Sequence, residues 1–307
     1  MLNIDPKRFT PYESAFRPDV RIGDHAYSLC GGPCAGMITI EDSEMLAELT
    51  RRCIAEKIPY RVVGGLSNLL VSDKGFDGVI LLNRKGKVTH FTDADGSVVL
   101  TADSGAPAAA VVSYCVQNGL SGFEWACGLP GTVGGAVYGN AGAFGTAVAD
   151  IFRSCEVLEP DGKTETLSAA DMGFSYRGSS LKGGQHDRTI LRASFDVERD
   201  DPEQIRQRGE ANREKRHAGQ PFSERSLGSV FKNPEGASAG KLIQDAGLKG
   251  MSIGKARVSE KHANFIVTAE GVRSEDYRKL IGYVQSAVSE RFGVRLEPEI
   301  EFLGFED

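Results

Sequence analysis

The stretch that decides the fold is residues 128–145, which read GLPGTVGGAVYGNAGAFG. Seven of these 18 positions are glycine, and the whole chain holds 37 glycines in 307 residues, about 12% against a usual figure of about 7%. Ordering a glycine costs up to about 1 kcal/mol of backbone entropy, which a chain tolerates where a ligand must approach the backbone closely. The apolar residues Leu129, Val133, Val137 and Phe144 are interleaved with the glycines, which argues against a flexible surface loop. We therefore predict a cradle for a ligand, of which a nucleotide diphosphate is the usual kind.

A second glycine turn follows a predicted strand, Tyr60–Val63, and reads Gly64-Gly65-Leu66-Ser67-Asn68. Paired glycines followed by small polar residues let backbone N–H groups converge on a phosphate. The turn is not a Walker loop, because no Gly-Lys-Ser/Thr follows it, and it lacks the third glycine and the helix of a dinucleotide fingerprint. A tight turn between two strands explains these residues equally well when they are considered alone.

Two further segments carry polar side chains that suit an anionic ligand. In residues 174–180, Arg177 stands beside Tyr176 and small hydroxyl residues, so its guanidinium could fork onto a carboxylate or phosphate. A solvated arginine is the alternative there. In residues 226–234, Ser229 lies between a glycine and an apolar pair, as at the rim of a pocket. It is not a nucleophile elbow, which needs glycine two residues to either side of the serine.

Composition excludes several classes of protein. The net charge is 36 − 42 = −6, so nucleic acid is disfavoured as a partner, although a local basic pocket for a small anion stays open. No stretch approaches the roughly 18 apolar residues that span a bilayer, and the first residues do not read as a signal peptide, so no membrane insertion is expected. The six cysteines form no CxxC pair and the five histidines form no metal spacing. We predict no metal site and reduced thiols in a cytoplasmic protein.

The pattern of apolar residues predicts a mixed order of helices and strands. A polar helix at residues 203–217, introduced by Asp201-Pro202, reads as a solvated connector, and we place a domain boundary within about 15 residues of position 200. The other main elements are a helix capped by Ser43, helices at residues 106–117, 238–246 and 274–292, and a last strand at residues 299–303.

Six segments, taken in order, resemble the UDP-N-acetylenolpyruvoylglucosamine reductase (UDP-N-acetylmuramate dehydrogenase) family. They are GLPGTVGGAVYGNAGAFG, SYRGSS, GSVFKNP, AGKLIQDAGLKG, VSEKHANFIV and LEPEIEFLG. The length resembles the shorter class of the family, whose substrate site lacks one covering loop. The resemblance implies an α+β fold with an oxidase-type FAD-binding region of two subdomains plus a C-terminal α/β substrate-binding domain. On this chain the division becomes residues 1–215, with a core at about 31–198, and residues 216–307.

The resemblance also implies a two-stage reaction. NADPH reduces non-covalently bound FAD, and the flavin then reduces the enolpyruvyl sugar nucleotide to UDP-N-acetylmuramate, a peptidoglycan precursor. Three residues match the family's catalytic positions. Ser229 would donate a proton to the α carbon, Arg177 would clamp the substrate carboxylate, and Glu299 would support that carboxylate, which requires Glu299 to be protonated.

The resemblance assigns the two glycine segments to the cofactor and a further set of side chains to the UDP-sugar. The implied cofactor-binding residues are Gly64, Gly65, Leu66, Ser67, Asn68, Leu69, Gly128, Leu129, Gly131, Thr132, Gly134, Gly135, Asn140, Ala141 and Gly142. The implied substrate-binding residues are Tyr176, Lys232, Asn233, Lys241, Lys261 and His262.

The chain departs from the family pattern at two glycine positions. Leu66 stands where the first turn usually has a glycine, and Lys255 stands where a glycine usually precedes Ala256. The donor at position 66 is a backbone N–H, so FAD binding should survive unless the position needs a positive φ, which would strain leucine.

Two other functions are weighed against the reductase. One is an oxidase-type FAD enzyme that acts on an alcohol or sugar and tethers its flavin through a histidine, for which His25 and His90 are the histidines of the N-terminal third. The other is a non-catalytic nucleotide-binding homologue, which would be expected to lack Arg177, Ser229 or Glu299. No oligomeric state follows from the sequence.

Overall fold

The computed structural model describes residues 2–182 and 188–305, and its elements form three regions, each built on a sheet of its own. The first region has a four-stranded sheet of order β1-β2-β5-β3, in which β5 runs parallel to both of its neighbours. Its elements are β1 (Phe16–Arg21), β2 (Pro33–Ile40), α1 (Ser43–Ala55), β3 (Tyr60–Val63), β4 (Leu69–Val71) and β5 (Phe76–Asn83).

Helix α1 connects β2 to β3 and packs on this sheet. Leu46, Leu49 and Cys53 lie on its buried face and are fully buried, as its apolar spacing predicts. The predicted cap was wrong by one residue, because the N-cap is Asp42, whose Oδ1 accepts a hydrogen bond of 2.9 Å from the Met45 N–H. A carboxylate at this position accepts a hydrogen bond from a free N–H of the first turn. Ser43 is therefore the first residue of the helix, not its cap, and it is buried.

The second region is an antiparallel sheet of order β12-β11-β13-β7-β6, with β8 paired to the end of β13. Its elements are β6 (Val88–Thr92), β7 (Val98–Asp103), α2 (Ala108–Asn118), β8 (Leu120–Ser121), α3 (Val133–Tyr138), β9 (Gly142–Ala143), β10 (Thr146–Ala147), α4 (Val148–Ile151), β11 (Phe152–Leu158), β12 (Thr164–Ser168), α5 (Ala169–Met172) and β13 (Thr189–Arg199). One apolar core joins this sheet to α2 and α3. The glycine segment 128–145 therefore includes a short helix, of which Val133 and Val137 are buried against that core.

Helix α6 (Pro202–Gly219) begins at Asp201, whose carboxylate accepts from two N–H groups of the first turn, as predicted from Asp201-Pro202. It is more than a solvated connector. Ile205, Gly209 and Arg216 are buried, because this face lies against Glu124–Ala126 and the start of the glycine segment.

The third region has an antiparallel sheet of order β14-β17-β16-β15 covered by the long helix α8. Its elements are β14 (Arg225–Ser229), α7 (Ala239–Asp245), β15 (Ser252–Ile253), β16 (Ala256–Val258), β17 (Phe265–Thr268), α8 (Ser274–Phe292) and β18 (Glu301–Leu303). Helix α8 has the bounds that the sequence predicts, and Gly293 ends it in the left-handed conformation, with φ 68°. The mixed helix and strand content agrees with the α+β class.

The last strand leaves this region and pairs with the first. Strand β18 runs parallel to β4, with Glu301 opposite Leu69. It is two residues shorter than predicted, because Glu299 instead donates its N–H to the Val230 carbonyl. The division at residues 215 and 216 stays a prediction, and it falls inside α6. No helix among the described residues is both long and apolar enough to cross a membrane.

Candidate active site

The two glycine segments pack against each other. A Cβ on Gly64 would lie 2.3 Å from Thr132 Oγ1, and one on Gly65 would lie 2.8 Å from the Gly131 Cα. Both distances are shorter than real side-chain contacts, so glycine is required at positions 64 and 65 by this approach. The turn between β3 and β4 and the start of α3 thus form one surface of backbone groups.

Leu66 adopts the conformation in which leucine is strained. Its φ is +51°, and its side chain is buried beside Val63 and Val71. This backbone conformation costs a non-glycine residue about 1–2 kcal/mol. Position 66 therefore does need a positive φ, which is the condition under which the change from glycine to leucine was expected to cause strain. Burial of the apolar leucine side chain offsets part of this strain. Lys255 shows no such strain, and its ammonium donates to the Glu270 carbonyl.

The surface formed by the glycine segments presents unused hydrogen-bond donors. Within the described residues, the backbone N–H groups of Gly65, Leu66, Ser67 and Asn68 donate to no protein group, and neither does that of Gly131. Converging N–H groups of this kind suit an anion, and the diphosphate of FAD is such a ligand. The residues present therefore fit the cofactor that the sequence predicts.

Arg177 and Glu299 form an ion pair next to this surface. Arg177 Nε lies 2.9 Å from Glu299 Oε1, and Arg177 Nη1 donates to the Gly142 carbonyl at 3.0 Å. The buried Nε–H is not directed at the carboxylate, so it makes no hydrogen bond within the described residues. The remaining guanidinium hydrogens are available to an anionic ligand. The structure thus brings together two of the three predicted catalytic residues.

A strained turn positions Arg177. Its φ is +58°, and Ser175 and Gly178 exchange backbone hydrogen bonds across it. The Asn140 side chain fixes the turn to α4, since its Nδ2 donates to the Ser175 carbonyl and its Oδ1 accepts from the Ala149 N–H. The side chain of Asn140, which we predicted to bind the cofactor, is therefore used within the protein to hold the arginine turn.

Burial raises the pKa of Glu299 above its usual value. The opposing effect comes from nearby cations, of which Arg177 and Lys182 lower the pKa most, and burial outweighs it. This upward shift of the pKa arises from the protein alone, before any substrate carboxylate is present. The side chain of Glu299 is 17% exposed, so it still faces the site.

Ser229 lies on the strand next to Glu299. The Glu299 N–H donates to the Val230 carbonyl at 2.8 Å, so the two chain segments run side by side. The preceding Gly228 has φ 77°, and a Cβ there would be 4.0 Å from the Ser67 carbonyl. Ser229 is half-buried, and its hydroxyl donates to no group in the described part of the chain. The serine is therefore placed between the first glycine turn and the acid.

Three predicted substrate-binding residues lie on the segments that carry Arg177 and Ser229. Tyr176 is 57% exposed, with the Arg177 guanidinium 5.6 Å from its ring centre. The Lys232 ammonium pairs with Glu297 at 2.6 Å, and its charge also acts on Glu299. Asn233 Oδ1 accepts from the Ala239 N–H at the start of α7, which leaves its amide N–H₂ available.

The other three lie on other segments of the third region. Lys241 pairs with Asp245 along α7 and is largely exposed. Lys261 donates to the His217 carbonyl at the end of α6. His262 packs edge-on against Phe265, and burial lowers its pKa, which favours the neutral ring. The described contacts of all three are with other protein groups, so their contact with a ligand stays a prediction.

Two cations near the site were not among the predicted residues. Arg216 is 7% exposed, has an unpartnered Nε and lies with its guanidinium 5.3 Å from the Phe144 ring. Phe144 is itself 46% exposed, contrary to its interpretation as a packed residue. Lys182 pairs with Glu301 and donates to the Glu299 carbonyl. The signal for Arg216 was a basic run late in a polar helix, and its burial follows only from the packing of α6.

The remaining titratable groups form no second centre. Among residues 2–182 and 188–305, no group of three or more His, Cys, Asp or Glu side chains is arranged to hold a metal ion. All six cysteines are unpaired, and burial raises the pKa of Cys53, Cys115 and Cys155 to about 12.

Comparison with known proteins agrees with this geometry. A family model described as an FAD binding domain matches residues 34–168. Together with the paired glycine surface, this match defines the class: the chain is a flavoprotein with an oxidase-type FAD-binding fold. A second model, the C-terminal domain of UDP-N-acetylenolpyruvoylglucosamine reductase, matches residues 220–303.

Relatives cover nearly the whole chain. A UDP-N-acetylenolpyruvoylglucosamine reductase of Caldicellulosiruptor saccharolyticus is 41% identical over 292 residues, 94% of this chain and 92% of the relative. The reductase of Caldicellulosiruptor bescii is 44% identical over 89% of this chain and 86% of its own length. The crystal structure of the Thermus caldophilus reductase superposes with a TM-score of 0.76 at 33% identity, covering 94% of this chain and 99% of that one. The chain belongs to the UDP-N-acetylenolpyruvoylglucosamine reductase family.

Proposed function

We propose that this chain uses NADPH and FAD to reduce UDP-N-acetylenolpyruvoylglucosamine to UDP-N-acetylmuramate, a step of peptidoglycan precursor synthesis. The observation that supports it best is the convergence of the Arg177–Glu299 ion pair and the Ser229 strand on the glycine surface. Bound FAD supplies the hydride, which it obtains from NADPH. The protein's own residues then have three tasks: to hold the dinucleotide, to orient the substrate and to deliver a proton.

The backbone N–H groups of residues 65–68 and of Gly131 hold the cofactor diphosphate in this proposal. They are fixed by the packing of the two glycine segments, so they are oriented before the ligand binds. The uridine diphosphate of the substrate meets cationic, amide and aromatic groups in this proposal. The candidates on the segments that carry Arg177 and Ser229 are Tyr176, Lys232 and Asn233, and those on other segments are Lys241, Lys261 and His262.

Arg177 binds the substrate carboxylate in this proposal. Its Nε and one Nη1 hydrogen face protein groups, and the others form a fork that fits a carboxylate and stabilises the charge that develops there. Glu299 supports the same carboxylate as a protonated acid, which burial favours. A neutral acid can donate a hydrogen bond, whereas a second carboxylate would repel the substrate.

Ser229 donates the proton to the α carbon in this proposal. Its hydroxyl is free of other hydrogen bonds within the described residues, as a group that must meet the substrate requires. A hydroxyl is a weak acid, so the acceptor must be strongly basic and the serine must regain a proton from water.

The test is flavin absorbance in the absence of oxygen. The purified yellow protein should bleach when NADPH is added and recover its colour when the enolpyruvyl substrate follows. Bleaching without recovery would exclude this substrate and favour another reaction of the oxidase-type fold. Precipitation with acid should leave the flavin in solution, because we propose that the cofactor is held without a covalent bond.

We propose the cytoplasm as the compartment, because the six thiols are unpaired and such thiols persist where the surroundings are reducing. Nucleic acid and membrane lipid have no place in this proposal, since the substrate is a small nucleotide-activated sugar.

A further inference from the structure

Arg84 lies behind the first glycine turn and binds its carbonyl groups. Directly after β5, its Nε donates to the Gly64 carbonyl at 3.1 Å and its Nη2 to the Gly65 carbonyl at 3.5 Å. The same Nη2 donates to the His25 carbonyl. One guanidinium thus joins the turn to the segment before β2, a set of contacts that requires several donors in one plane.

No carboxylate pairs with this arginine. Within the described residues, Arg84 has no acidic group within ion-pair distance, and burial lowers its pKa. The next residue, Lys85, gives the opposite case, because it is exposed and its ammonium pairs with Glu41 at 2.6 Å. A half-buried guanidinium that meets only carbonyl oxygens keeps its full positive charge beside the turn.

The contacts of Arg84 fix the direction of the unused N–H groups. In a trans peptide the C=O and N–H bonds point to opposite sides of the plane. Arg84 binds the Gly64 and Gly65 carbonyls, so the N–H groups of Gly65 and Leu66, which belong to the same two peptides, point away from it. Those N–H groups are among the unused donors of the glycine surface.

The strained backbone of Leu66 needs such a restraint. With φ at +51°, this residue would lower its energy by returning to the common region of backbone conformation, and that change would rotate the peptide planes of the turn. The hydrogen bonds from Arg84 oppose the rotation.

We propose that Arg84 is a positioning residue for the diphosphate of the bound dinucleotide. It holds the Gly64–Gly65 and Gly65–Leu66 peptides with their N–H groups toward the phosphate oxygens, and it adds a positive charge behind them. The inference rests on the part of the proposed function in which this turn binds FAD, and it does not depend on the identity of the substrate.

The experiment measures flavin binding by full-length protein from which the flavin has been removed. Arg84→Gln keeps hydrogen-bond donors but loses the charge, whereas Arg84→Lys keeps the charge but cannot meet three carbonyls. The matched control is Lys85→Gln, which makes the same change in net charge at the adjacent, exposed position. Each variant is titrated with FAD and with riboflavin, which has the same ring system and no phosphate, and fluorescence gives the dissociation constants. Thermal unfolding of the flavin-free protein is followed in parallel.

We expect Arg84→Gln to weaken FAD binding about ten- to a hundredfold, the effect of losing one or two charge-assisted hydrogen bonds. The FAD affinity of Arg84→Lys should lie between those of the unchanged protein and Arg84→Gln, and this variant should still fold if the glutamine variant does not. Riboflavin binding should change by less than about twofold, and Lys85→Gln should match the unchanged protein. Equal losses for FAD and riboflavin, or an equal loss in the Lys85→Gln protein, would overturn the proposal. Because no substrate is present, these outcomes are distinct from a failure of the proposed reaction.

Discussion

Glu299 is subject to two opposing influences at the scale of a single residue. Burial raises its pKa, Arg177 and Lys182 lower it, and the effect of burial is the larger, so the pKa lies above its usual value. Glu299→Gln imitates the neutral acid and should retain much more activity than Glu299→Asp or Glu299→Lys in steady-state assays of NADPH oxidation. If the glutamine variant loses as much activity as the lysine variant, the acid does not act in its protonated form.

The same raised pKa makes a prediction about stability. The native state keeps the Glu299 proton to a higher pH than the unfolded state, whose pKa is about 4.3. Its contribution to the free energy of unfolding is therefore complete below that value and is lost as the pH rises through the native pKa. Relative to Glu299→Gln, the unchanged protein should become less stable with rising pH, as urea denaturation at several pH values would show. A difference that is constant with pH would mean that the native pKa is not raised.

Leu66 offers a separate test of backbone strain. Leu66→Ala removes buried contacts and keeps the unfavourable φ, so we expect a loss of about 2–5 kcal/mol. Leu66→Gly removes the same contacts but relieves the strain, and it should exceed the alanine variant in stability by about 1 kcal/mol despite the flexibility of glycine. Chemical denaturation of both proteins measures the difference. An alanine variant at least as stable as the glycine variant would show that φ at this position carries no strain.

At the scale of elements, the turn after β3 and the start of α3 can be probed with a pair of alanines. In Gly65→Ala the new Cβ would meet the Gly131 backbone at 2.8 Å, so the protein itself should lose stability. In Gly135→Ala the nearest atom would be Thr132 Oγ1 at 3.8 Å, an ordinary contact, so stability should hold or rise slightly. If the dinucleotide approaches this backbone closely, Gly135→Ala should nonetheless bind FAD at least about tenfold more weakly. Unchanged FAD affinity would show that Gly135 does not contact the dinucleotide.

The elements that the sequence predicted well are those with local signals. Helix α8 has its predicted bounds because an amphipathic pattern ends at Gly293, which takes a left-handed conformation. The start of α6 follows from Asp201-Pro202 in the same way. The end of the chain was predicted less well, since β18 pairs with β4 more than 200 residues earlier, and no local pattern encodes such a partner.

In the candidate site, too, local sequence patterns predicted which residues are present but not their contacts. The glycines and Arg177, Ser229 and Glu299 could be picked out from motifs, but the 2.9 Å ion pair and the burial that raises the pKa of Glu299 arise only from tertiary packing. Arg84 and Arg216 carry no motif, because their significance lies in the carbonyls and rings that surround them. Asn140 was predicted from its motif to bind the cofactor, which stays a prediction, and only the tertiary structure shows that its side chain fixes the arginine turn.

At the scale of the whole molecule, burial determines the behaviour of the six thiols. Five are buried, and burial raises the pKa of Cys30 and Cys34 to about 11 and that of the other three to about 12, so little thiolate forms at neutral pH. The sixth, Cys127, is partly exposed. We expect a thiol reagent to modify at most about one cysteine rapidly in the native protein and all six in denaturant, as mass spectrometry would count. Rapid modification of several thiols would contradict the described packing.

Ser229 lies between the first glycine turn and Glu299, and its proposed role is central: it gives the proton in the second half of the reaction. Flavin reduction by NADPH needs no proton from this serine, so Ser229→Ala should bleach at close to the normal rate. Reoxidation by the enolpyruvyl substrate should slow by about 10²- to 10⁴-fold, the usual contribution of a general acid, while Ser229→Cys keeps part of the rate. Stopped-flow absorbance of the flavin separates the two half-reactions. Normal bleaching with slow reoxidation is the predicted result, and normal reoxidation of the alanine variant would contradict the claim.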